Sequence, residues 1–325
     1  MPWHAVAALD DAINLSRGFL LPFDLRRWLA LAFVVFFMGW GANAPTGISN
    51  AAKAVSGPRG TGPSGPVSGL PDGAIVAGGI LVAVALLLGL AFAIMGAVMR
   101  FVFFDALHTG QVRVRDRFRA WFGAGLRLFA FGAALFIAVV GPVVAILIGV
   151  VLLGFGGPAI VFVGLPAMLV LAIVVGAVLR LTYDFVVPTM MIEETGVLGG
   201  WRRFWRTLWT IPGQFGVYVF VRWVLGIVAG VASAVAFGFL VLPVLLLGGL
   251  VEVAGMGFDL VVSPTLLVLV AVLGVPVLVG LLVVGLFLQV AIQTFFGYYA
   301  LVVLGAVDPA LDLVAERRAS VRDGR

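Results

Sequence analysis

The sequence predicts an all-α integral membrane protein: six transmembrane helices as three parallel hairpin repeats, each preceded by a cytoplasmic amphipathic interfacial helix. Three observations predict it. First, of 325 residues 63% are hydrophobic and 11% charged, against about 25% charged in an ordinary globular chain, so the polar surface that water demands cannot be built. Mean hydropathy is +1.21. Second, long apolar runs such as Ala74 to Met99 and Leu266 to Val290 exceed the roughly 18 residues that mark a membrane-crossing helix. Third, the basic residues fall almost entirely on one side of the topology that those runs define.

Candidate spans begin near Trp28, Ala74, Leu126, Ala159, Gln214 and Thr265. The first, Trp28 to Gly41, is short and must borrow "FDLRRW" and "ANAPTG" to reach about 20 residues. An external Gly/Pro/Ser-rich loop, 43–73, follows it and has the composition of a linker. "GTGPSG" at Gly60 to Gly65 spells a phosphate-loop pattern, but no strand precedes it and prolines interrupt it. The chain is one membrane domain, 1–325, with repeat units 1–104, 105–187 and 188–304 and a cytoplasmic tail, 305–325. "AVMRFVFFD" and "AVLRLTYDF" are matching helix ends, and "RDRFRAWFGAGLRLF" and "WRRFWRTLWTIPGQF" follow them. "ALDDAINLSRGFLLPFDLRRWLAL" is a degenerate third copy. With two spans per unit, all units point the same way, so the repeats are parallel rather than inverted.

With the N-terminus inside, the 20 Lys and Arg residues all lie on the inner side except Lys53 and Arg59. The expected location is therefore the cell membrane, multi-pass, with both termini cytoplasmic. Asp10 and Asp11 occupy the place of a basic signal-peptide n-region, so no cleavage is expected. The "NLS" sequon at Asn14 falls inside and is not read as a glycosylation site.

At about 100° per residue, Trp201, Phe204, Trp205 and Leu208 share one helix face, and Arg202, Arg203 and Arg206 the other. Val114, Phe118, Trp121 and Gly125 share a face opposite Arg115, Arg119 and Arg127. Rings on one side and guanidinium groups on the other suit a helix in the headgroup layer, so the expected partners are membrane lipids with anionic headgroups at the cytoplasmic face. A nucleic-acid groove would interleave both residue types on one surface, so no nucleic acid is expected.

The order of surface helix and hairpin, with "RDRFRAWFGAGLRLF", "GVLGGWRRFWRTLW" and the closing "GYYALVVLGAVDP", resembles a family of uncharacterised prokaryotic, mainly archaeal, multi-pass membrane proteins. These are similar in pattern to the membrane domain of some glycerophosphodiester phosphodiesterases. The resemblance covers Ala7 to Pro309 and implies the fold. It implies no activity, because the chain carries no phosphodiesterase domain.

Charged residues near spans are the first functional candidates. Arg100 with Asp105, and Arg180 with Asp184, are spaced close to one helical turn, where opposite charges can meet. Gln289 and Gln293 share a face of the last span and complete the candidate polar membrane site. Gly226, Gly230, Ala234 and Gly238 form a small-residue stripe suited to close helix packing within the molecule. Pro142, Pro166, Pro243 and Pro276 are expected to bend spans three to six, with the outer halves either splayed around a vestibule or their kinks absorbed by neighbouring helices and local water. Glu193 and Glu194 read as favourable charge at a helix start, and Glu252 and Asp259 as a weak cation signal.

There is no cysteine, and the only histidines are His4 and His108, so no metal and no cofactor is expected. No nucleophile motif or paired-carboxylate cluster is present, so the expected protein is not an enzyme. The expectation is a non-enzymatic membrane scaffold or assembly factor; the alternative is a transporter or channel for a small or lipidic substrate.

Overall fold

A computed structural model describes residues 4–39, 72–153, 164–257 and 264–323, and among them every regular element is helical. The Gly/Pro/Ser-rich stretch with Lys53, Arg59 and Gly60 to Gly65 lies outside the described residues, as do Gly41, Ala159 and Asp259. The helices are α1 (His4–Leu20), α2 (25–39), α3 (Asp72–Thr109), α4 (Val114–Leu153), α5 (Leu165–Leu181), α6 (Val187–Glu193), α7 (Val197–Thr210), α8 (Pro212–Gly257), α9 (Pro264–Val307) and α10 (Ala315–Asp323).

Among the described residues, five segments are long and apolar enough to cross a membrane: Gly78–Thr109, Val114–Ile146, Pro166–Glu193, Pro212–Phe239 and Val279–Val307. The short first span expected from Trp28 is helical over 25–39, and its continuation falls outside the described residues. The arginine-rich stretch from Val114 is the beginning of α4 itself, not a separate surface helix. Nothing between Val114 and Leu153 removes enough backbone bonding to break it, and even Pro142 sits inside the helix. Pro276 likewise lies inside α9. Pro166 differs from the expectation that it bends a span. It stands in the first turn of α5, where the missing N–H has no helical acceptor to lose.

Between α5 and α6 the helix widens into a π turn, Thr182–Val186, with the Val187 N–H bonded to the Thr182 carbonyl five residues back. Pro188 follows at once. Its absent N–H leaves the Asp184 carbonyl without an ordinary helical donor, and its ring crowds that carbonyl, so the wider register relieves both problems. The end of α3 is set by Gly110. Its φ of 74° is the left-handed conformation a glycine adopts without penalty, and its N–H bonds to the Ala106 carbonyl at 2.8 Å.

The chain divides into two compact units: Met1–Val35 with Trp205–Arg325, and Phe36–Phe204. In the first unit α1 lies against α9 and α8. Ala8, Ala12, Leu15 and Phe19, spaced four, three and four residues apart, are the buried face of α1. The apolar stripe that suggested an interfacial helix is thus spent on the protein's own helices. Phe19 meets Tyr298 edge-on at 5.9 Å, and Trp28 meets Phe287 at 5.5 Å.

In the second unit α3 packs along α4, and α4 against α5. Phe101 stacks on Trp121 at 5.6 Å, and Phe185 on Phe204 at 5.2 Å. A Cβ on Gly125 would lie 2.7 Å from the Val98 Cα, so only glycine permits this approach of α4 to α3.

In each unit the core sits at the arginine-bearing ends of the spans. Phe101, Val102, Phe103, Phe104 and Leu107 are buried at one end of α3, whereas Leu81, Leu86 and Leu87 farther up are exposed. Tyr298 to Leu304 are buried at one end of α9, whereas Leu282 and Val283 are exposed. Lipid explains this pattern. An apolar flank gains nothing by leaving hydrocarbon, so packing concentrates where close backbone approach and polar pairing supply the energy.

Replacing Gly125 with alanine should lower detergent-solubilised stability by about 1–3 kcal/mol, because Val98 backbone has to move. Gly123, whose added Cβ would meet nothing within 4 Å, should tolerate alanine without loss in the same thermal melt.

Candidate functional site

The polar side chains of the second unit gather where α3 ends, α4 begins and the π turn lies. Asp105 is buried, and its carboxylate meets the Arg117 guanidinium at 3.0 Å. The expected partner was Arg100. Five residues on a helix amount to roughly 140° of rotation beyond one full turn, which carries Asp105 away from Arg100 and toward α4. Arg180 and Asp184, four apart, do meet, at 3.4 Å.

Arg100 instead places its guanidinium 3.6 Å from the centre of the Tyr183 ring, and it donates to the Met38 carbonyl at 3.3 Å. Tyr183 belongs to the π turn. The Trp201 indole N–H donates to the Thr182 hydroxyl at 3.0 Å, and that hydroxyl donates onward to the Val178 carbonyl at 2.7 Å. The π turn is therefore gripped from α3 and from α7.

The residues expected at the lipid surface divide into two groups. Trp121 stacks on Phe101, Trp201 is tied to Thr182, and Arg203 pairs with Glu193 at 2.9 Å. Arg115, Arg119, Arg202 and Arg206 are exposed. Trp205, expected on the ring face of a headgroup-layer helix, is uncovered by protein. It is exposed and lies edge-on to Trp209 at 5.8 Å, while Thr207 is buried in its stead. Tertiary packing selected the stripe Val197, Gly200, Phe204 and Thr207, leaving Leu198, Trp205 and Trp209 outward. Glu193 ends α6, and Glu194 follows in the left-handed region at φ 51°.

A cleft of about 320 Å³ opens beside this cluster. Arg117, Trp121 and Arg127 of α4 line one wall, and Met190, Glu194 and Thr195 the other. In the first unit a second cleft, of about 310 Å³, is lined by apolar residues of α1 and α9, with Arg17 among them.

In the first unit Gln289 is exposed and Gln293 half-buried, and among the described residues neither makes a side-chain hydrogen bond. The helix turns Gln289 away from the neighbours it was expected to join. The Gly226, Gly230, Ala234 and Gly238 stripe also faces outward. All four are exposed, and added Cβ atoms on the three glycines would meet nothing within 4 Å. Close approach of α8 and α9 occurs at Gly285, under the Phe237 ring.

Among the buried polar residues of this unit, Arg222 carries a charge. Its Nη1 donates to the Tyr218 hydroxyl at 3.2 Å and to the Phe296 carbonyl at 3.3 Å, and its guanidinium lies 4.4 Å from the Phe296 ring centre. Tyr218 in turn stacks on Tyr299 at 5.1 Å. Among the described residues, no group of three or more His, Cys, Asp or Glu side chains is arranged to hold a metal ion.

Residues 3–314 match a family described as "Family of unknown function (DUF7544)". The chain belongs to this family. No curated protein and no solved structure matches it, so the similarity to a phosphodiesterase membrane domain gains no support from the comparisons.

Arg222 and Tyr183 were missed as site residues for different reasons. Arg222 had a signal, an arginine ten residues past the Pro212 start of an apolar helix, close to Tyr218 and Trp223. Tyr183 had none, because its role depends on where α3 delivers Arg100.

Replacing Arg117 with glutamine should strip a buried carboxylate of its cation and cost about 2 kcal/mol, discounted for the 40% exposure of the arginine side chain. Replacing Arg180, 55% exposed, should cost less than about 1 kcal/mol. Parallel thermal melts measure both.

Proposed function

We propose that the chain is a non-enzymatic membrane scaffold or assembly factor. In this reading six helices embed it in the cell membrane as three in-register hairpins, with both termini cytoplasmic, and the exposed arginines and tryptophans of α4 and α7 meet anionic headgroups. The observation that carries the proposal is the uncovered flank of the spans. An 18-residue apolar stretch within Val114–Ile146 contains no buried residue, and of a like stretch within Pro212–Phe239 only 6% is buried. The small-residue stripe of α8 lies open on such a flank, and a partner helix can approach it closely. The arginines inside the fold bear on neighbouring rings, carbonyls and carboxylates, which suits a structural role.

A second reading, a transporter or channel for a small or lipidic substrate, is favoured by one observation. Arg222 is a buried cation within a span, and such groups mark substrate paths as well as structural ties.

Protein reconstituted in liposomes should pass no small solute or ion faster than empty vesicles do. A flux that Arg222→Gln abolishes would replace the scaffold with a transporter. In native membranes a photo-crosslinker at Ala234 should give adducts of discrete mass that Gly230→Leu removes. For orientation, the cysteine-free chain accepts single probes. Arg59→Cys should react with an impermeant reagent on intact cells, and Arg203→Cys should be shielded.

A further inference from the structure

The cleft beside the π turn has a charge pattern that its neighbours do not explain. Two arginines line it, but Arg117 is already matched by Asp105 at 3.0 Å. Arg127 is different. It is exposed, and among the described residues no carboxylate pairs with it. Its Nη1 atom lies within 4.0 Å of where a Cβ on Gly196 would stand, so its charge is held at the rim next to Thr195.

Glu194 lines the same cleft and forms no ion pair with Arg127, although both are present. The Thr195 hydroxyl is buried without a hydrogen-bond partner. Among the described residues, the cleft thus presents one uncompensated cation and one uncompensated anion, held apart, beside an unused hydroxyl. A purely anionic ligand would be drawn to Arg127 and repelled by Glu194. A ligand carrying both signs meets both.

We propose that this cleft binds the headgroup of a phospholipid bearing a phosphate and a primary ammonium. The phosphate sits toward Arg127, with Arg117 behind it, and the ammonium toward Glu194. A guanidinium presents paired donors to phosphate oxygens, and a carboxylate accepts hydrogen bonds from an ammonium that a trimethylated nitrogen cannot donate. The volume of about 320 Å³ suits a headgroup rather than a whole lipid, leaving the acyl chains against the apolar flank of α4. The inference rests on the proposed placement of this end of the helices in the headgroup layer, and it goes further by naming one lipid class and one site.

The test uses the full chain in phosphatidylcholine vesicles carrying equal small fractions of photoactivatable phosphatidylethanolamine or phosphatidylglycerol. The ethanolamine lipid should label peptides from α4 and the α6–α7 junction about fivefold more than the glycerol lipid. Glu194→Gln should bring the two lipids to parity, Glu194→Asp should keep the preference, and Arg127→Gln should remove both labels. Equal or greater labelling by phosphatidylglycerol in the unaltered chain, or a ratio indifferent to Glu194→Gln, overturns the proposal. Displacement of the label by free phosphoethanolamine would make the ligand a soluble zwitterion and overturn the lipid assignment. A polarity-sensitive dye on Phe122→Cys, an exposed position of α4 in the same unit as the cleft, separates the two levels. A dye reporting bulk water refutes the headgroup placement, whereas a dye reporting the interface together with no lipid preference refutes the cleft alone.

Discussion

A guanidinium group cannot be left alone beside hydrocarbon, and much of this structure follows from that constraint. Placing an arginine at the centre of a spanning helix costs roughly 2.5–3.5 kcal/mol on insertion scales, and the cost falls when the group reaches a carboxylate, a carbonyl or an aromatic face. Arg100, Arg117 and Arg222 each make such a reach across to another helix. Arg100 lies over Tyr183, Arg117 bonds to Asp105, and Arg222 rests on Phe296 and bonds its carbonyl. Because every one of these partners stands on a different element, satisfying the charge also draws helices together.

The same end of each bundle collects the other devices that lipid leaves available. Backbone approach at Gly125 and ring stacking of Phe101 on Trp121 join α3 to α4. Tyr218 on Tyr299 joins α8 to α9. The π turn at Thr182–Val186 serves the polar cluster directly, presenting Tyr183 to Arg100 and the Thr182 hydroxyl to Trp201. A regular helix over these five residues would rotate later side chains by most of a residue's step, so the widening forced by Pro188 also sets which groups face the cleft.

The exposed flanks gain meaning from this contrast. A water-soluble protein with Leu86, Leu87, Phe220 and Trp223 uncovered would aggregate. In a bilayer they are neutral toward lipid, and they become informative only where small residues cut a groove, as on α8 between Gly226 and Gly238. Membership of a family of unknown function leaves the chemistry of such surfaces as the guide to activity.

The sequence by itself determined the solvent, the helical class and the placement of the apolar runs, because hydropathy and length are additive along the chain and need no neighbour. It also determined that Arg180 meets Asp184, since a four-residue step on one helix is a local fact. It contained enough to reject Arg100 with Asp105, since five residues overshoot the face. Tertiary structure alone decided that Asp105 takes Arg117, that α1 spends its apolar stripe on α9, that Trp205 turns outward while Thr207 turns inward, and that Gln289 faces away from its neighbours. Each of these depends on which element stands opposite. Helical periodicity defines faces but does not say what each face will meet.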